Sequence, residues 1–218
     1  MTTRRTLAVI AAAGLASVAG LATASGASAH ERQHCPKPPT LGTRSLAAVL
    51  ASDRSGFDRN WRDYDIVTAA VGAVLKAKPN SPVKVLADGK VPLTAFLPTD
   101  QAFRILATDL THKRYTNEKA VFAAVASLGI PTVETVLLYH VVPGATIDAR
   151  TALRSDGAKL KTAQGGTITV DVRHGKRIFL VDADPDARNP RVVQPDINKG
   201  NRQIAHGIDR VLRPVNLP

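Results

Sequence analysis

The chain has 218 residues and a net charge of +11, with a single cysteine and an aromatic content of 4%. One cysteine excludes an internal disulfide, and so few rings leave no stacking platform of the kind single-strand nucleic-acid binders place beside their cations. The scattered basic residues fit a solvated surface, or anionic partners such as wall polymers, acidic polysaccharide or lipid head groups.

The N-terminus reads as an export signal. Arg4 and Arg5 precede an uncharged stretch, 7–24, rich in Ala, Val, Leu and Gly, and Ala27-Ser28-Ala29 is the small-x-small pattern a signal peptidase accepts. Gly, Ser and Thr dilute the stretch below what a membrane anchor of roughly 20 strongly apolar residues needs. Cleavage after Ala29 removes residues 1–29 and leaves a mature chain of about +9, long enough for one domain with a core. Thr3-Arg4-Arg5-Thr6-Leu7 partly resembles a twin-arginine signal. Arg32, Gln33 and His34 before Cys35 lack the small apolar character of a lipidation site. No later segment has the length and apolarity of a membrane span.

Residues 30–62 read as a polar leader with Pro36, Pro38 and Pro39, and a short helix is expected over 45–52 from Leu46, Val49 and Leu50. From Asp65, taken as an N-cap, Ile66, Val67, Ala70, Val71, Val74 and Leu75 recur at helical spacing until Pro79. Leu93 to Leu97 suits a buried strand. Thr99 or Asp100 caps a helix through Phe103 and Leu106. An Ala-rich helix over 117–128 ends at Gly129, and Pro131 opens another through Tyr139. After Pro143-Gly144 the period changes. Thr167 to Val172 alternates as a half-buried strand should, and Ile178 to Val181 pairs with it across a turn at Gly175. Val192-Val193 and 204–212 read as further strands. Helices in the first half and strands in the second make an α+β domain.

Three segments carry a resemblance. Leu93-Thr94-Ala95-Phe96-Leu97-Pro98-Thr99-Asp100-Gln101-Ala102-Phe103, Leu137-Leu138-Tyr139-His140-Val141-Val142-Pro143-Gly144 and Gln203-Ile204-Ala205-His206-Gly207-Ile208-Asp209-Arg210-Val211-Leu212-Arg213-Pro214 resemble, in order, the signatures of the fasciclin domain family. The match spans about 63–218. It implies a single domain, a wedge or sandwich of antiparallel strands with several packed helices. It also implies an extracellular, non-catalytic adhesion or matrix module, and with the basic charge the expected partner of a secreted or wall-associated chain is an anionic wall polymer or another extracellular protein. The alternative is a secreted scaffold for a small ligand or a metal. Fold alone does not settle function.

Among candidate residues, Pro98, Thr99, His140 and Asp209 are expected to be structural. Tyr139 lies on an apolar helical stripe and His140 where helix becomes strand, so a buried imidazole bonded to Thr99 and Asp209 is the first reading. By resemblance, the Tyr139-His140 segment is linked to integrin binding in some animal members. Pro195-Asp196-Ile197 resembles a Glu-Pro-Asp-Ile-Met integrin-binding stretch, although Gln194 and Asn198 replace its acid and thioether. Asp196 also suits a turn. His30, His34 and Cys35 offer soft ligands near a new N-terminus, but nothing rigid fixes them, so no metal site or cofactor is assigned. No paired-carboxylate motif, Gly-x-Ser-x-Gly, phosphate loop or His-Glu-x-x-His is present, and no catalytic residue is assigned. Lys159, Lys161, Arg173, Lys176 and Arg177 cluster in sequence and are expected to share one basic face if adjacent strands carry them.

Overall fold

The computed structural model describes residues 40–216. The expected export signal, its expected cleavage point and the His30, His34 and Cys35 set lie outside the described residues. Helices α1 (Leu46–Leu50), α2 (Asp65–Ala77), α3 (Asp100–Thr111), α4 (Glu118–Ala126), α5 (Ile130–Tyr139) and α6 (Ala149–Ala152) accompany strands β1 (Leu93–Pro98), β2 (Val141–Pro143), β3 (Lys159–Lys161), β4 (Thr167–Arg173), β5 (Arg177–Val181), β6 (Val192–Ile197) and β7 (Gln203–Ile208).

The strands form two sheets, ordered β2-β1-β7-β6 and β3-β4-β5. β1 and β7 are buried along their whole length, because apolar layers cover both faces. Leu93, Ala95 and Leu97 pack with α2 to α5, whereas Phe96 and Ile208 meet Ile168, Val170, Ile178 and Leu180 of the second sheet. The period-2 alternation of a strand thus feeds two cores.

The expectation of antiparallel strands fails at the centre. β1 and β7 run parallel, with Leu93 opposite Gln203 and Pro98 opposite Ile208, while the other strand pairs are antiparallel. A parallel pair needs a long crossover, and here the crossover contains α3 to α6 and the second sheet. β7 also stops at Ile208, short of the expected strand over 204–212. Beyond it the backbone leaves the ladder, and Leu212 N–H donates to the His140 ring instead.

The segment read as a leader is part of this domain from residue 40 onward. Leu46 and Leu50 are buried in the helical core. Gln203, fully buried, accepts from Leu46 N–H and donates to the carbonyls of Val85 and Asp88, each at 2.8 Å. A Cβ on Gly207 would collide with the Tyr64 hydroxyl, so the glycine permits the close approach of this segment to β7.

Candidate functional site

Two places on the molecule gather most of the residues singled out above, and a third gathers acids that were not. The first is the junction of the three signature segments. Tyr139 is 1% exposed and His140 4%, so neither ring presents a surface. The Tyr139 hydroxyl donates to Thr167 O at 2.9 Å, and the ring packs so tightly on Gly166 that a Cβ there would lie 2.6 Å from it. His140 Nδ1 lies 2.7 Å from Val136 O, and Nε2 accepts from Leu212 N–H at 2.9 Å. Donating at Nδ1 and accepting at Nε2 fixes a neutral imidazole. Burial pushes its pKa down to about 4, against a smaller upward pull from the Val136 carbonyl.

His140 therefore joins the three segments by main-chain partners, since its own carbonyl also accepts from Phe96 N–H at 2.9 Å. The expected bonds to Thr99 and Asp209 are not formed. Thr99 caps α3 by accepting from Ala102 N–H, and Asp209 accepts from Arg191 N–H at 2.8 Å. Short polar side chains satisfied the backbone nearest to them. Pro98 closes β1 opposite Ile208.

Pro195, Asp196 and Ile197 lie on β6, an edge strand with register shifts. Pro195 is exposed and Ile197 packs on the helical core. Asp196 has φ 61°, accepts from Ala149 N–H at 2.7 Å, and pairs with Lys199 at 2.7 Å. Burial raises its pKa, but Lys199 and the Ala149 N–H outweigh that and hold the carboxyl below its usual range. Its own N–H donates to His206 Nδ1, and His206 Nε2 lies 2.8 Å from Ile147 O. Asp196 is thus engaged on both oxygens and stitches β6 to the start of α6.

The second place is the outer face of the β3-β4-β5 sheet. Leu160, Ile168, Val170, Ile178 and Leu180 point into the core, and the alternate positions point outward. Lys159, Lys161, Arg173 and Arg177 are exposed on that outer side, and Lys176 is exposed in the β4-β5 turn. Arg173 pairs with Asp171 at 2.7 Å and lies 4.2 Å over the Phe179 ring, which explains why an outward aromatic is covered.

The third place was not assigned from the sequence. Asp65, Asp100 and Glu118 are the first residues of α2, α3 and α4, and they converge with Asp58 and Asp63 from the preceding loop. Oxygens of Asp58, Asp65 and Glu118 lie within 4.8 Å of one another, as do oxygens of Asp63, Asp65 and Asp100. Asp65 was expected to cap α2. Instead Tyr64 holds the cap position without a side-chain bond, and Asp100 Oδ1 accepts from Ile66 N–H at 3.0 Å. Glu118 Oε2 accepts from Asp58 N–H at 2.6 Å. Burial raises the pKa of Asp100 to about 8 and of Asp65 to about 6, with the neighbouring acids adding to it. Burial also raises Asp63 and Glu118. An aspartate at a helix start reads as an ordinary dipole partner, so nothing in the sequence marked these acids as neighbours.

A fold of helices on a mixed sheet, carrying the three signature segments at one buried junction, defines the class. The fasciclin domain model matches residues 67–214, and the chain belongs to that family. Among solved structures it is similar to a FAS1 domain pair from the insect cell adhesion molecule fasciclin I, with 18% identity and a TM-score of 0.54. That match covers 78% of this chain and 50% of the other, so the chain spans half the length of the pair. At this identity the likeness concerns the fold. No curated protein matches the chain. Residues 40–66, including Asp58, Asp63 and Asp65, precede the family match although they are packed into the domain.

Proposed function

We propose that this is an exported, non-catalytic binding module that attaches to anionic polymer of a cell wall or matrix through the outer face of β3-β4-β5. The observation that carries the reading is the alignment of Lys159, Lys161, Arg173 and Arg177 on one exposed face, with Lys176 at its edge. Lys159 and Lys161, two apart on β3, stand about 7 Å apart, and Arg173 and Arg177 are cross-strand partners about 5 Å apart, so each pair lies within one screening length of about 8 Å in physiological salt. Because Lys159 faces Thr169 and Lys161 faces Thr167, the two pairs stand about 13–20 Å apart along the sheet and suit an extended polymer rather than a single small anion. Only Asp171 offsets them on those strands. Membership of a family known from adhesion proteins supports the same reading, and the N-terminal signal pattern supports export. Secreted material is expected to begin at His30 on N-terminal sequencing; a product that keeps residues 7–24 in membranes would contradict export.

The binding test is retention of the mature protein on isolated wall polymer in a salt gradient. Wild type should bind at low salt and elute as salt rises. A variant with Lys159, Lys161, Lys176 and Arg177 changed to Gln should pass through. Equal retention of both, or retention unchanged at high salt, overturns the reading. A small-ligand scaffold is the second reading. It would use the groove of about 350 Å³ lined by Leu106, Leu110, Pro131, Val136, Leu212 and Val215, and an apolar compound co-purifying there would favour it.

A further inference from the structure

We propose that the carboxylates gathered at the starts of α2, α3 and α4 form a binding site for a hard divalent cation of the Ca²⁺ class, with Asp65 as the shared ligand. Acidic side chains cluster on many surfaces without consequence. Three of these differ in being buried and unsatisfied. Asp100 and Glu118 are fully buried and Asp65 is 8% exposed. Asp65 Oδ2, Asp100 Oδ2 and Glu118 Oε1 have no hydrogen-bond partner, and neither has Asp63 Oδ1. A buried oxygen left without a partner carries its full desolvation cost. No Lys, Arg or His among the described residues forms an ion pair with any of the five acids.

The donor chemistry and the spacing select the ligand. Ca²⁺ takes six to eight oxygens at about 2.3–2.6 Å, so two oxygens on one ion stand at most about 5 Å apart. Both triads meet that limit, and Asp65 belongs to each. An all-carboxylate set with no sulfur and no imidazole disfavours zinc and copper. The three helix N-termini favour the ionised carboxylates that a cation requires. Exposed Asp58 leaves one flank open to solvent. The other tenant of such a cluster is a proton shared between acids, and the experiment separates the two.

The full mature protein is stripped with chelator and titrated with Tb³⁺, a luminescent stand-in for Ca²⁺. The chain's one tryptophan, Trp61, lies two residues before Asp63 and serves as the sensitiser. Trp61-sensitised emission should rise and saturate, Ca²⁺ should displace it, and NaCl of equal ionic strength should not. Ca²⁺ at a hundredfold excess over its Kd should raise the melting temperature by about 5–10 °C. Asp65→Asn, which keeps size and loses charge, should weaken Tb³⁺ and Ca²⁺ binding at least tenfold, while Asp171→Asn on the distant sheet should leave both unchanged. Wild-type protein with no saturable emission and a melting temperature indifferent to Ca²⁺ overturns the proposal, and so does wild-type affinity in Asp65→Asn. The wild-type arm decides alone if the variant does not fold.

Discussion

Two groups of buried acids sit in this domain, and they are handled in opposite ways. Near the end of the chain, Asp184 has a side chain 1% exposed, and Arg213 reaches it at 3.1 Å while also pairing with Asp109. Asp184 Oδ1 accepts from the N–H groups of Asp186 and Ala187, and Asp182 Oδ2 accepts from Arg213 N–H. Every charge there has a partner supplied by the chain itself. Asp65, Asp100 and Glu118 are as deeply placed, yet an oxygen of each has no partner, and no Lys, Arg or His among the described residues pairs with them. Leaving a buried charge uncompensated costs several kcal/mol unless the group is neutralised or paired. Burial is not the distinguishing feature. The source of the compensating charge is, and at Asp65 it comes from solution.

The largest effect expected from breaking this contrast is at the self-sufficient group. Arg213→Met removes the cation and strands Asp184, which should cost about 3–5 kcal/mol in urea unfolding. A loss below about 1 kcal/mol would mean that the backbone donors suffice.

His140 represents a third solution, burial in the neutral form. His140→Ala leaves Leu212 N–H and Val136 O unpaired and should cost about 1–3 kcal/mol, or several degrees in melting temperature. Tyr139→Phe keeps the ring and frees only Thr167 O, so it should cost less. The pH dependence has a definite sign. With the folded pKa near 4 and the ordinary value 6.5, the unfolded chain gains a proton that the native chain refuses. The stabilisation is full above about pH 6.5 and is lost as pH falls towards 4. The stability gap between wild type and His140→Ala should therefore narrow between pH 6.5 and 4, by at most about 1.4 kcal/mol per pH unit. A constant gap would contradict a neutral buried imidazole.

At the other group the sign reverses. In chelator, Asp65→Asn removes an uncompensated buried charge and should stabilise the protein by about 1–2 kcal/mol, whereas Asp184→Asn should destabilise it. The same direction for both would erase the comparison. The smallest effect belongs to the outer sheet face. Changing Lys159, Lys161, Lys176 and Arg177 to Gln should move stability by no more than about 0.5 kcal/mol per site, with retention on anionic polymer as the property that changes.

Much of the fold was legible because local pattern and tertiary role agree. Alternation in Thr167 to Val172 marks β4, the helical spacing from Ile66 to Val74 marks α2, and Pro131 marks the start of α5. The basic face was expected from the clustering of its residues in sequence, and the alternation of β3, β4 and β5 turns them to one side. The parallel β1-β7 pair was not legible, since strand direction depends on the path of the crossover and leaves no mark on either strand. The packing of α1 was hidden because five residues are too few to show a period. The His140 partners were misassigned for a related reason. Its acceptor and donor are backbone groups, which every residue offers, and side-chain identity does not point to them. The acid cluster unites positions 58, 63, 65, 100 and 118, and each one alone reads as a turn or a helix start.

Whether Asp65 holds a cation is decided by a crystal structure of residues 30–218 grown with Ca²⁺. An ion is expected about 2.3–2.6 Å from an Asp65 oxygen, with further ligands from Asp58 and Glu118 or from Asp63 and Asp100, and with Arg213, Asp184 and Asp109 unchanged. Side chains of the five acids in their present positions around water alone, at Ca²⁺ concentrations that saturate extracellular calcium modules, would contradict it.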